Sequence, residues 1–228
     1  MTQLLLPRQI EHAEVGIPSF ALDPGLVLYL PLYELDGASF ISKDHYGHLC
    51  TATGALWRPN GRYFDGVNDR IVIANAFSEI SVSQPFTIIL WVKIDAGADG
   101  TIFANSLGAN DRVSIWIKPA SNNFLGLCAW DGFVGLGKGQ ELFTDSTYFY
   151  HLACLGAGDH TYTCFVDAVP ATNSRYPGTA ANVGARLGED TQGLNDFEGY
   201  IGEGWIYNYQ LPFGELQHHF SATKWRYK

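Results

Sequence analysis

Five apolar side chains at every second position, Phe86, Ile88, Leu90, Val92 and Ile94, constrain this chain more than any other feature. Alternate side chains of an extended strand point to opposite faces, so these five make one continuous apolar face that another layer must cover. The interleaved set, Thr87, Ile89, Trp91 and Lys93, is also too apolar for open water and predicts a second cover or a concave surface on the other side. Further strands are expected at 26–32, 62–64, 70–74, 101–104, 112–118, 124–130, 148–155, 161–166, 185–187 and 200–207, each bounded by Gly, Asn, Asp or Pro. One short helical turn is expected near 213–220, where Leu216 and Phe220 stand four apart.

Strand follows strand without βαβ alternation, and no segment repeats at a fixed period. The 25 glycines and the 14% aromatic content suit many short strands joined by tight turns. The expected fold is therefore all-β, a two-sheet antiparallel jelly-roll sandwich. A chain of 228 residues is within the range of one such domain. Residues 1–24 stand apart: Pro7, Pro18 and Pro24 interrupt them and neither period is sustained. They read as an extended N-terminal arm ahead of a sandwich at 25–228. Its Leu4, Leu5, Leu6, Ile10, Ile17, Phe20 and Leu22 need cover, so the arm is expected to contact another copy or a partner subunit rather than complete the core.

A formal net charge of −9 argues against a nucleic-acid partner, because phosphate binding needs clustered cations. Lys224, Arg226 and Lys228 form the sole local basic cluster and read as a solvated tail. No stretch approaches the roughly 18 apolar residues of a membrane span, so no membrane insertion is expected. Met1-Thr2-Gln3 carries no cation, and Leu4-Leu5-Leu6 is cut short by Pro7 and Arg8, which predicts a protein made in the cytoplasm without a signal peptide. Cys50, Cys128, Cys154 and Cys164 lack zinc-site spacing and are read as free, mostly buried thiols. Cys154 and Cys164 flank a hairpin turn and are expected to face each other, where a directly cross-strand disulfide would be strained.

Several segments in order carry a family resemblance. They are Leu26-Val27-Leu28-Tyr29-Leu30-Pro31-Leu32, Asp44-His45-Tyr46-Gly47-His48-Leu49, Phe64-Asp65-Gly66-Val67-Asn68-Asp69-Arg70-Ile71 and Phe86-Thr87-Ile88-Ile89-Leu90-Trp91-Val92-Lys93. Tyr150-His151-Leu152-Ala153, Phe165-Val166-Asp167 and the closing Phe197-Glu198-Gly199-Tyr200-Ile201-Gly202-Glu203-Gly204-Trp205-Ile206-Tyr207-Asn208 complete the set. From 26 to about 225 the chain resembles the laminin-G-like branch of the concanavalin A-like lectin and glucanase superfamily. It departs at Gly202, where the family usually carries an acidic residue. The tail Phe220-Ser221-Ala222-Thr223-Lys224-Trp225-Arg226-Tyr227 resembles those of laminin-G-like modules from phage and environmental sequences. The resemblance implies a fold and leaves function open, since this fold hosts lectins, adhesins, hydrolases and structural modules.

Many members of that family bind calcium at loops of the sandwich, and the matching oxygen ligands here are Asp44, Asp65 and Asp69, with Asn68 as a neutral oxygen. The same Asp and Asn residues also make turns by bonding their own backbone. A glycan site needs aromatic platforms beside carboxylates or amides, and Trp57, Trp130, Asp131, Tyr176, Asn195 and Asp196 lie in or beside expected loops. Glycosidic hydrolysis needs two carboxyls about 5 to 5.5 Å apart in the retaining geometry. Glu198 and Glu203, five apart, are expected on opposite faces of a regular strand. No Gly-x-Ser-x-Gly elbow is present, His218-His219 read as surface residues, and Gly135-Leu136-Gly137-Lys138-Gly139 reads as a turn rather than a phosphate loop. The leading expectation is a non-enzymatic structural or attachment protein on a phage or virus surface, its arm binding other virion subunits. The alternative is a stand-alone carbohydrate-binding or adhesion module for cell-surface glycan, with calcium as a candidate cofactor.

Overall fold

The computed structural model describes residues 23–74, 80–81, 83–95, 100–106, 113–118, 124–128, 146–159, 161–175, 182–190, 193 and 195–228. Its strands are β1 (Leu26–Pro31), β2 (Ser39–Ile41), β3 (Leu49–Thr53), β4 (Leu56–Arg58), β5 (Gly61–Asp65), β6 (Arg70–Ile73), β7 (Pro85–Ile94) and β8 (Gly100–Ser106). They continue with β9 (Ser114–Lys118), β10 (Phe124–Cys128), β11 (Tyr150–Ala157), β12 (Thr161–Val166), β13 (Val169–Arg175), β14 (Asn182–Leu187) and β15 (Glu198–Tyr207). A helix, α1 (Phe213–Thr223), and a 3-10 turn (Lys224–Arg226) close the chain.

The strands form two antiparallel sheets. One runs β13-β12-β11-β7-β15-β5-β4, and the other runs β10-β9-β8-β14-β6-β3-β2. β15 organises the first sheet. Along one edge it pairs β7, and along the other its first half pairs β5 (Glu198 opposite Asp65) while its second half pairs β1 (Tyr207 opposite Leu26). The jelly-roll sandwich read from the sequence is thus the observed fold. Residues 1–22 of the arm lie outside the described residues.

Two apolar layers sandwich the first sheet. Phe86, Ile88, Leu90, Val92 and Ile94 of β7 join Ile71, Ile73, Ile115, Ile117 and Leu187 of the second sheet in the main core. Ile89 and Trp91 point the other way and join Leu26, Trp205 and Tyr207 under Leu216 of α1 and Tyr227. The cover expected over this outer face is therefore the C-terminal helix. Cys154 and Cys164 are opposite partners on β11 and β12, and both are buried free thiols. Burial, and then Cys164, raise the Cys154 thiol well above its ordinary range.

Four strands were not expected: β2, β3, β4 and β13. In β2 and β3 only Phe40 and Cys50 are buried, and β4 is exposed throughout, so none shows a sustained alternation. The reading of His219 as a surface residue is also corrected. Consecutive helical residues diverge by about 100°, so α1 exposes His218 and buries His219, which is 2% exposed.

Leu216 is fully buried between α1 and the sheet. Leu216→Ala is expected to cost about 2–5 kcal/mol of unfolding free energy, the range for a buried leucine that leaves a cavity. Urea denaturation reads it, and a loss below about 1 kcal/mol would mean that α1 is not part of the cooperative unit.

Candidate functional site

An aromatic rim forms where three segments meet at the outer face of the first sheet. After β1 the chain turns back on Pro31, whose carbonyl accepts from the Glu34 and Leu35 amides, and this turn carries Tyr33. On β4, Trp57 donates its indole N–H to the Tyr33 carbonyl at 2.9 Å. The closing 3-10 turn supplies Trp225 and Arg226. The Arg226 guanidinium carbon lies 4.0 Å from the Tyr33 ring centroid and 4.8 Å from that of Trp225. Trp225 is 65% exposed and Trp57 36%, so two flat apolar rings face solvent.

A buried carboxylate holds this rim. Glu203 of β15 is 1% exposed. It accepts from Arg226 Nη1 at 2.6 Å, Tyr29 Oη at 3.0 Å and Tyr227 Oη at 3.3 Å. Burial raises the Glu203 pKa, opposed by Arg226 and the tyrosine hydrogen bonds. Burial and then Glu203 raise both Tyr29 and Tyr227. For Arg226 burial works downward, but Glu203, Tyr33 and Tyr227 together outweigh it and the guanidinium stays charged. Enclosed as it is, Glu203 anchors Arg226 rather than meeting a substrate, leaving the rings and guanidinium for contact with a ligand.

Gly202 departs from the family pattern for a steric reason. A Cβ there would lie 2.5 Å from the Tyr227 ring, so the missing side chain lets Tyr227 seat against the strand, and the acidic residue of this stretch is the neighbouring Glu203. The register of β15 on β7 shifts between Ile201 and Gly204. Tyr200, Trp205 and Tyr207 consequently all pack on the outer face, as does Glu203 beside Tyr29 and Tyr227. Glu198, two residues before Tyr200, shares that face, so the expectation that Glu198 and Glu203 face opposite ways is corrected. At about 3.3 Å per residue they remain roughly 16 Å apart along the strand, too far for a retaining pair.

The sequence-based candidates fall in other places. Asp44 accepts from the amides of Tyr29 (2.9 Å), Tyr46 (2.9 Å) and Gly47 (3.1 Å), shaping the turn between β2 and β3. Asp65 and Asp69 shape the turn between β5 and β6: Asp69 accepts from the Asp65 amide and Asp65 from that of Val67. Asn68 is exposed, and its carbonyl accepts from Arg70. β3 separates the two sites, with Leu49 bonded to Ala74 at one end and Thr53 opposite Arg70 at the other. The four residues are therefore not brought together. Among the described residues no three His, Cys, Asp or Glu side chains are grouped to hold a metal ion. Trp130, Asp131 and Tyr176 lie outside the described residues, as does 135–139.

Asn195 and Asp196 sit on the loop before β15, near Asp65 and Asp69. Asn195 is in the left-handed region at φ 56° and donates to Asp190 at 2.9 Å. Glu189, 3% exposed, pairs with Arg186 at 2.5 Å and Arg70 at 3.4 Å. Burial, then Asp190 and Asp65, raise the Asp196 pKa against the pull of Arg70. Burial chiefly raises Asp69 as well, with Asp65 and Asp196 adding to it. This is a self-repelling carboxylate rim.

With this geometry in view, comparison with known proteins places the fold. A laminin-G-like family model, described as the concanavalin A-like lectin/glucanases superfamily, matches residues 64–217. The chain belongs to that superfamily. No curated protein sequence matches it. A Trypanosoma rangeli sialidase mutant displaying trans-sialidase activity superposes with a TM-score of 0.68 at 18% identity, over 89% of this chain and 33% of that one. This superfamily member thus spans about a third of the sialidase. Domain 4 of AbnA, a GH43 extracellular arabinanase from Geobacillus stearothermophilus, in complex with arabinotriose, gives 0.66 at 17% identity over 85% of this chain and 97% of that one. The botulinum neurotoxin serotype D binding domain gives 0.68 at 8% identity over 87% and 52%. At these identities the likeness is one of fold.

Two expectations are corrected by these findings. The virion surface protein has no support: these structural neighbours are parts of carbohydrate-active enzymes and a toxin. The expectation of a non-enzymatic protein is overturned as well, because this lectin/glucanase fold is shared with sialidase and GH43 arabinanase structures. The virion expectation leaned on the arm and tail, and the non-enzymatic one on the lack of a paired-carboxylate or nucleophile motif, whereas the fold neighbours match the sandwich.

Sequence reasoning named Trp57 but missed Tyr33, Glu203, Trp225 and Arg226. The signal was the alternation Lys224-Trp225-Arg226-Tyr227-Lys228, where rings interleave with cations, read instead as a solvated tail. The carboxylate rim yields a prediction. Asp196 holds its proton more tightly in the folded state than in the unfolded chain, so its ionised form opposes folding above its raised pKa and the penalty fades as pH falls. Asp196→Asn should raise the Tm at pH 7, with the gain shrinking toward pH 4. An unchanged or lower Tm at pH 7 contradicts this account of the loop.

Proposed function

We propose that this domain is a carbohydrate-binding module whose sugar platform is the rim of Tyr33, Trp57, Trp225 and Arg226. The observation that carries this reading is the solvent-facing Trp225 indole beside a guanidinium that is itself pinned by a buried carboxylate, with the part-exposed Trp57 indole bonded to Tyr33, over whose ring that guanidinium lies. Flat rings match the apolar faces of pyranose and furanose units, and a fixed guanidinium donates to hydroxyls or ring oxygens. Because Glu203 anchors Arg226 in advance, little side-chain entropy is lost on binding. The arabinanase domain supports the reading. It is a whole domain of this shape, matched over 97% of its length, and its structure contains an oligosaccharide.

Calorimetric titration of the full chain with arabinan-, xylan- and sialoglycan-derived oligosaccharides, each with calcium and with chelator, tests the function and the calcium expectation together. A stacking ring contributes about 0.5–1.5 kcal/mol beyond its area, so Trp57→Ala and Trp225→Ala should each weaken binding by at least about two- to tenfold. Both side chains are partly exposed, and the Tm should move little. Undiminished affinity in the double variant would remove the rim as the site.

A further inference from the structure

We propose that His151 and His219 form an acid-released latch, so that protonation of this buried pair frees the C-terminal cap, α1 with the 3-10 turn, from the first sheet. His151 projects from β11 and His219 from α1, and each is at most 2% exposed. Their rings meet through a single hydrogen bond, Nε2 of His151 to Nδ1 of His219 at 3.3 Å. One nitrogen donates and the other accepts, so the bond requires at least one neutral ring, and double protonation would set two cations in contact across the interface. Aromatic rings crowd the pair. Trp91 lies edge-on to His151 at 5.0 Å, Trp205 edge-on to His219 at 4.2 Å, and Phe220 is 5.5 Å from His151. Nδ1 of His151 is buried without a partner, and a proton there would have no acceptor.

The surrounding charges do not compensate. His218 on α1 and Lys228 beyond it add positive potential. Lys224 lies over the Phe220 ring, and Lys93 of β7 over Tyr200. The nearby acids are engaged: Asp167, in the turn after β12, accepts from the His151 amide and Lys228, and Glu203 of β15 holds Arg226. Glu215 of α1 faces Tyr207 and Tyr209. Burial, with Lys228, pushes His151 down to about 3, and burial, with His151 and His218, pushes His219 well below its ordinary value. Both folded-state values are depressed, so the stabilisation is complete above the free value of about 6.5 and is lost as pH falls below it.

Hydrogen exchange of the full chain, corrected for intrinsic rates, tests the latch. Two protons taken up on release should lower the protection of 213–223 on the order of 500-fold between pH 7 and pH 5, while β7 keeps its protection. In His219→Gln one titrating imidazole remains and the drop should shrink to about 25-fold. In the double variant with His151→Gln it should nearly vanish. The wild-type measurement decides even if the double variant does not fold: a change below about threefold, or parallel loss of protection in β7, overturns the latch. A double variant that keeps the wild-type pH dependence overturns it equally. Trp225 and Arg226 ride on the same cap, so on the proposed sugar-binding reading affinity should fall at the pH where the released cap becomes the populated state. Absence of binding at pH 7 would count against the rim alone, because the exchange measurement involves no ligand.

Discussion

Trp91 and Trp205 lie on the side of the first sheet that faces away from the second, and both are fully buried. Neither can be left in water, and among the described residues α1 and the residues that follow it return over this face. Leu216, Phe220 and Tyr227 supply that return: Tyr227 stacks on Trp91 at 4.7 Å, and Thr223 accepts from the Trp91 indole at 2.9 Å. The C-terminal segment is thus a third layer of the domain. Gly202 belongs to the same arrangement, because a side chain there would displace the Tyr227 ring.

From that layer follows the placement of the polar groups. The register shift in β15 turns Glu203 onto the outer face, where an isolated carboxylate would be costly to bury. Arg226, Tyr29 and Tyr227 offset the cost, and in doing so they fix the ends of β1, β15 and the 3-10 turn relative to one another. The aromatic rim is a by-product of this satisfaction: Tyr33 and Trp225 flank the guanidinium that Glu203 requires. A buried ion pair is weak evidence for net stability, but here it sets geometry, which a binding surface depends on.

Much of the fold was legible because burial on two faces leaves a strong imprint on a strand. The alternation in 86–94 named the main-core face of β7 residue by residue, and Ile89 and Trp91 foretold a cover on the other side. The short strands β2 and β4 escaped because edge strands bury few side chains and carry little pattern. Of the residues in the proposed rim, Trp57 was legible as an aromatic beside a turn. Asp44, Asp65 and Asp69 read as cation ligands in the sequence because turn-making and calcium binding draw on the same side-chain oxygens, and the structure shows them bonded to turn amides at two separate places. Glu203 and Arg226 stand 23 residues apart in sequence, and their pairing depends on a bulge that no local period announces.

The rim and the histidine pair share one mechanical element. Trp225 and Arg226 are held in place by Glu203 at one point, while His219, two turns of backbone earlier on the cap, meets His151 across the sheet surface. A ligand that needs the rings aligned binds the docked cap better than the released one, so it stabilises docking by as much as it prefers that state. The converse holds by linkage: whatever loosens the cap, whether a proton on the imidazoles or a cavity at Leu216, scales such a ligand's apparent affinity by the fraction of molecules whose cap stays docked. Rigidity at the rim is therefore set largely inside the domain, in an apolar layer beneath the proposed sugar platform.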